Sequence, residues 1–167
     1  EPVIRVEDGF IRSVGLGADL VQPQSWVMDD VGMYYDATRP SRLEQLLENT
    51  EFEPGLLKRA VGLIESLKAS GTTKYNTGAR DWQRPRRNER VLLVPGQVES
   101  DASIKFGSPV VKTNLELLQA VREQNPGAWV VYKPHPDVVA GLRMPGGAEE
   151  QGERWCDQLI LDQDMAH

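Results

Sequence analysis

The sequence predicts an α/β fold, a Rossmann-like arrangement of parallel strands flanked by helices, and three consecutive segments carry that prediction. Val91-Leu92-Leu93-Val94 is a continuous apolar run bounded by Pro95-Gly96. Asn114 to Gln124 sets Leu115, Leu118 and Val121 at helical spacing and is stopped by Asn125-Pro126-Gly127. Trp129-Val130-Val131-Tyr132 is a short β-branched and aromatic run that reads as a buried strand. Strand, helix and strand in this order imply a right-handed crossover in a parallel sheet. Leu159-Ile160-Leu161 offers a third strand.

The elements before this unit are shorter. Val3, Ile4 and Val6 suggest a strand that runs into the turn Glu7-Asp8-Gly9, after which Phe10-Ile11 resumes the apolar pattern. Trp26-Val27-Met28 and Met33-Tyr34-Tyr35 flank Asp29-Asp30-Val31-Gly32 and suggest a hairpin. Ser41 and Glu44 have the spacing of a capping box ahead of a short helix, Arg42 to Leu47. Pro54 to Leu67 is the clearest helix, with Leu57, Ala60, Val61 and Ile64 at helical spacing, Pro54 at its start and Gly71 at its end. Thr72 to Glu89 is polar and reads as a long loop, and Arg80, Arg84, Arg86, Arg87 and Arg90 could address a lipid phosphate or simply be solvated. The expected division is residues 1–90, an amino-terminal segment, and residues 91–167, the sheet unit.

Composition narrows the function classes. With 167 residues the chain can bury a sizeable core. A net charge of -6 gives no global basic field for nucleic acid. A single cysteine, Cys156, excludes an internal disulfide framework and fits a reducing compartment. No apolar stretch approaches the ~20 residues of a membrane span. The chain opens on Glu1-Pro2 without an initiator Met and closes at His167 without a helix stop signal, so a piece of a longer protein is expected.

The stretch richest in chemistry is Tyr132-Lys133-Pro134-His135-Pro136-Asp137. Pro134 and Pro136 lack backbone donors and end the strand there. Residues two apart on a strand share a face, so Lys133 and His135 can point the same way at its carboxyl end. Ligands of open α/β sheets bind beyond such ends, and a cation beside an imidazole suits a phosphate or carboxylate. The alternative is an ordinary strand-terminating loop. If a helical turn starts after the first parallel strand, Gln97 and Asp101 share one of its faces, close to Lys133 and His135; otherwise Ser100 or Asp101 serves as a helix N-cap. Glu7 and Asp8 are adjacent, so strand alternation aims only one at a given ligand, as nucleophile or base, unless they merely form an Asp-Gly turn. Gly15-Leu16-Gly17 lacks the third glycine of a dinucleotide fingerprint. Asp29-Asp30 and Asp162-x-Asp164 are weak metal signals, and His135 and His167 give no zinc pattern.

Taken together, these motifs resemble the bacterial capsule polysaccharide biosynthesis and export family, the KpsC/LipA group. The resemblance rests on Glu7-Asp8-Gly9-Phe10-Ile11-Arg12-Ser13, Gly15-Leu16-Gly17, Asp29-Asp30-x-Gly32-x-Tyr34-Tyr35-Asp36, Lys74-Tyr75-Asn76, Gln97-x-x-x-Asp101 and Lys133-x-His135-Pro136, in that order. It implies one half of a GT-B-like glycosyltransferase, from a protein with two tandem modules, with wording closer to the second. It implies a retaining β-Kdo transferase that uses CMP-Kdo, needs no metal or other cofactor, and builds a Kdo linker on a phospholipid for capsule attachment. By the resemblance Asp8 is the catalytic carboxylate with Glu7 beside it, while Gln97, Asp101, Lys133 and His135 bind the nucleotide sugar. The expected partners are CMP-Kdo and a lipid-linked Kdo acceptor, in the cytoplasm and peripherally at the inner membrane, without nucleic acid. The family pattern places a further Rossmann half before Glu1 and a Ser/Gly-containing helix after His167, so the isolated chain is expected to be inactive. The competing readings are a non-catalytic export or scaffold component and a sialyltransferase-like enzyme using another CMP-sugar.

Overall fold

The computed structural model describes residues 3–11, 20–76, 78–85 and 90–162. They form two compact units, one drawn from the chain up to Asp81 and one spanning Trp82–Asp162. Gly15, Gly17, Arg86, Arg87, Asp164 and His167 lie outside the described residues.

In the first unit, strands β1 (Arg5–Asp8) and β2 (Trp26–Asp29) pair antiparallel, with Arg5 opposite Asp29 and Asp8 opposite Trp26. This corrects the expected hairpin, because β2 pairs with β1 and Met33–Tyr35 forms no strand. The Asp29 side chain supplies the reason. Its Oδ1 accepts from the backbone N–H of Val31 and of Gly32, both at 2.8 Å, and its Oδ2 accepts from that of Arg42 at 2.7 Å. The chain is thereby turned toward helix α1 (Arg42–Asn49) instead of back along β2. Ser41 and Glu44 close the capping box that starts α1. Helix α2 (Pro54–Ser70) begins on Pro54 and ends at Gly71, whose φ of 61° a side chain would strain. Its Leu56, Leu57, Val61, Leu63 and Ile64 are all about half exposed.

The second unit contains β3 (Val91–Pro95), α3 (Ala102–Gly107), α4 (Asn114–Gln124), β4 (Trp129–Lys133), α5 (Pro136–Val139), α6 (Gly147–Gln151) and β5 (Gln158–Leu159). The three strands are parallel in the order β3-β4-β5, with Val94 opposite Tyr132 and Pro95 opposite Lys133. The chain is thus α/β with a parallel sheet and helices. Strand alternation turns Val130 and Tyr132 to one face, where they pack with Val94, Leu118 and Ala148. Arg122, near the end of α4, ties that helix to the sheet. It donates to the Ala128 and Trp155 carbonyls at 2.9 and 3.1 Å and to Asp157, whose carboxylate also accepts from Val130 N–H. The third strand was expected over Leu159–Leu161; pairing instead covers Gln158–Leu159, bracketed by Asp157 N–H donating to Val130 and Ile160 N–H donating to Tyr132. Helices α3 and α6 had no periodicity long enough to predict them. Among the described residues no helix is long and apolar enough to cross a membrane.

Candidate functional site

The carboxyl ends of β3 and β4 are held close together. Gly96 N–H donates to the Lys133 carbonyl at 2.7 Å, continuing the ladder one step past Pro95. A Cβ at Gly96 would stand 2.6 Å from the Tyr132 hydroxyl and 3.1 Å from Pro134 Cα, so only glycine permits the approach. Gln97 follows with an exposed side chain, while its backbone is held by Asn114: Gln97 N–H donates to Oδ1 at 2.9 Å, and Nδ2 donates to the Gln97 carbonyl at 2.8 Å. The expected helical turn from Gln97 to Asp101 is not there. A turn closes with Asp101 N–H donating to the Val98 carbonyl, and Asp101 is the N-cap of α3, accepting from Ser103 N–H at 2.8 Å. The extended backbone of that cap takes Gln97 and Asp101 off a common helical face.

Lys133 is the last residue of β4 and is buried, at 8% exposure, and Pro134 behind it is fully buried. His135 is the N-cap of α5, and its Nδ1 accepts from Asp137 N–H at 3.1 Å. An Nδ1 that accepts leaves the proton of neutral His135 on Nε2, which becomes a donor. Burial alone would raise the Asp101 carboxyl. The N–H and hydroxyl of Ser103, with the electrostatic influence of Arg143 and His135, outweigh it and hold the group below its ordinary range. Arg143 thus acts on the same carboxylate as His135. Sequence spacing did not reveal it, because it returns to the site through a turn in which the Leu142 and Arg143 N–H groups both donate to the Asp137 carbonyl.

Tyr132 donates to Glu149 Oε1 at 2.7 Å, and burial, followed by that carboxylate, pushes its phenol far above the usual range. It is a fixed hydroxyl rather than a proton carrier. Burial also raises the Cys156 thiol, with Asp157 and Glu153 adding to the effect, so Cys156 is a poor nucleophile.

Glu7 and Asp8 belong to the first unit. Asp8 sits opposite Trp26 and shares that face of the ribbon with Val6 and Met28, whereas Glu7 lies opposite Val27 on the other face. Glu7 Oε1 accepts from Asp8 N–H at 3.1 Å. Asp29 and Asp30, weak metal candidates in the sequence, are spent otherwise. Asp29 accepts from the backbone N–H groups of Val31, Gly32 and Arg42, and Asp30 receives both Nε and Nη2 of Arg42, at 2.9 and 2.8 Å.

The family model described as capsule polysaccharide biosynthesis protein matches residues 2–61 and 57–152. The chain belongs to this family. It is 48% identical over 164 residues to the capsule polysaccharide modification protein LipA of Neisseria meningitidis serogroup B, covering 98% of this chain and 23% of LipA. It is 40% identical over 168 residues to the lipopolysaccharide-processing protein LpsZ of Rhizobium meliloti, covering 98% of this chain and 38% of LpsZ. Two solved structures from Thermosulfurimonas dismutans share its fold. KpsC, beta Kdo 2,7 transferase, has 45% identity and a TM-score of 0.74 over 97% of this chain and 46% of its own. KpsC, beta Kdo 2,4 transferase, has 35% identity and a TM-score of 0.75 over 99% of this chain and 51% of its own. The chain therefore spans about a quarter of LipA and about half of each solved neighbour.

Proposed function

We propose that this chain is part of a retaining β-Kdo transferase of GT-B type that takes Kdo from CMP-Kdo and adds it to a lipid-linked Kdo acceptor for capsule attachment. The observation that carries the proposal is its likeness to the beta Kdo 2,7 transferase at 45% identity over nearly the whole chain. Two features of the site agree with it. His135 offers a donor at Nε2, and Lys133 offers a cation, at a strand end where an anionic donor can be bound. Gln97 and Asp101 line the neighbouring loop, with Arg143 as an added positive charge.

In this reading the Asp8 carboxylate attacks the anomeric carbon of Kdo while the bond to the CMP phosphate breaks, its electron pair leaving with CMP. The acceptor hydroxyl then attacks the same carbon, the Asp8 ester bond breaks, and the hydroxyl proton passes to a base. Two inversions restore the starting configuration. Lys133 and His135, at the end of β4, suit the phosphate or carboxylate of a nucleotide sugar. The lipid acceptor places the reaction at the cytoplasmic face of the inner membrane, with the enzyme peripheral to it. The identity to the 2,7 transferase exceeds that to the 2,4 transferase, 45% against 35%, and favours the 2,7 linkage. Incubating the full-length polypeptide that carries this segment with CMP-Kdo and a Kdo-bearing lipid, then determining the linkage formed, tests both points. A new β-Kdo residue joined 2,7 is the expected product. Absence of transfer would support a scaffold role instead, and transfer only from another CMP-sugar would support the sialyltransferase-like reading.

A further inference from the structure

The geometry points to Asn114 as a positioning residue that presents Gln97 to the donor; this rests on the donor-site reading given above. Asn114 is the first residue of α4 and is 5% exposed. Its amide oxygen and nitrogen bond the N–H and C=O of Gln97 at 2.9 and 2.8 Å, as a neighbouring strand would. The ladder between β3 and β4 stops at Gly96, so this side chain takes over one residue later, where no strand partner remains. A second tie runs the other way: Asn114 backbone N–H donates to Glu99 Oε1 at 2.8 Å. The loop that carries Gln97 is thus joined to the start of α4 at two points.

The helix does not need this side chain for its own sake. Thr113 is the N-cap, and with Glu116 it completes the capping box. The Asn114 amide is therefore spent on the loop alone. Only asparagine meets the requirement at this reach, since one terminal group must both accept from an N–H and donate to a carbonyl. The result is a fixed backbone under an exposed Gln97 side chain, which lowers the ordering cost of binding.

The test uses the full-length polypeptide and reads CMP affinity, the CMP-Kdo KM and kcat, and the thermal midpoint. Asn114→Asp keeps the acceptor but faces the Gln97 carbonyl with a second oxygen, and it should weaken CMP binding about tenfold with the fold retained. Asn114→Ser gives the same readout if the aspartate variant does not fold. Thr113→Ala, which removes the helix cap, should lower the thermal midpoint and leave CMP affinity unchanged. Gln97→Ala should weaken CMP binding, and adding Asn114→Asp to it should cost little more, because both act through one side chain. Wild-type CMP affinity in both Asn114 variants, or losses that multiply with Gln97→Ala, would overturn the inference while leaving the donor site standing. Wild-type affinity and transfer in Gln97→Ala would remove the donor role of Gln97, and this inference with it.

Discussion

Strand β2 ends on the carboxylate of Asp29, whereas β4 ends at Lys133, just ahead of the buried ring of Pro134. The two units differ throughout in this way. In the first, a buried carboxylate gathers backbone N–H groups from Val31, Gly32 and Arg42. The ribbon face that holds Asp8 leaves Val6, Trp26 and Met28 more than half exposed. In the second, Val94, Leu118, Val130, Tyr132 and Ala148 close an apolar core, and polar groups collect where the strands stop. Shape in the sheet unit follows from burial, and its binding groups sit at the edge where burial ends. Shape in the ribbon unit follows from charge-assisted hydrogen bonds.

The largest expected effect separates chemistry from binding. In the full-length polypeptide, Asp8→Asn should reduce transfer by roughly a thousandfold or more and leave CMP affinity nearly unchanged, since a charged nucleophile is lost without a change of shape. His135→Ala should instead weaken CMP binding. Glu7→Gln, on the opposite face of the ribbon, should be the milder change. Near-normal transfer by Asp8→Asn, measured from CMP-Kdo to a Kdo-bearing lipid, would remove Asp8 as the nucleophile.

The next contrast is in packing. Leu118 is fully buried, and Leu118→Ala should cost about 2–5 kcal/mol in denaturant unfolding. Leu57 on α2 is 52% exposed, and Leu57→Ala should stay within about 1 kcal/mol. Equal costs would show that α2 is as well covered in the full-length polypeptide as α4 is here.

Asp29 gives a smaller, pH-dependent effect. Burial would raise its carboxyl, but N–H donors from Gly32, Val31, Arg42 and Leu43 outweigh it and hold the group below its ordinary value of 3.8. The folded state therefore favours the charged form. Its contribution is complete above pH 3.8 and is lost as pH falls below that through the folded value. Asp29→Asn should flatten this part of the acid limb in pH-dependent thermal melts. An unchanged acid limb would mean that Asp29 is not the hub of the first unit.

The smallest expected effect lies in the Arg-rich loop, where Arg80 and Arg84 are exposed. Replacing Arg84, Arg86 and Arg87 with Ser should weaken association with anionic liposomes at low salt, with the difference fading as salt rises. No change would remove the anionic-lipid reading of these arginines.

Much of the fold was legible in local signals. Ser41 with Glu44, Pro54 with Gly71, and the three leucine and valine positions of α4 marked their helices through bonds and periodicities that span a few residues. The apolar runs marked β3 and β4, and the two prolines marked where β4 had to end. The motif residues fall together at the carboxyl end of β4, since Lys133 closes that strand and His135 caps the helix two residues later.

The sequence by itself determined where α1, α2, α4 and the two main strands lie, because capping, proline and hydrophobic spacing act within one or two turns of chain. Only the tertiary structure decided that β2 pairs with β1, that Asn114 holds the backbone of Gln97 from 17 residues away, and that Arg143 acts on the same carboxylate as His135. Those choices depend on which distant polar group reaches a backbone donor or carboxylate first, and no local periodicity encodes that distance.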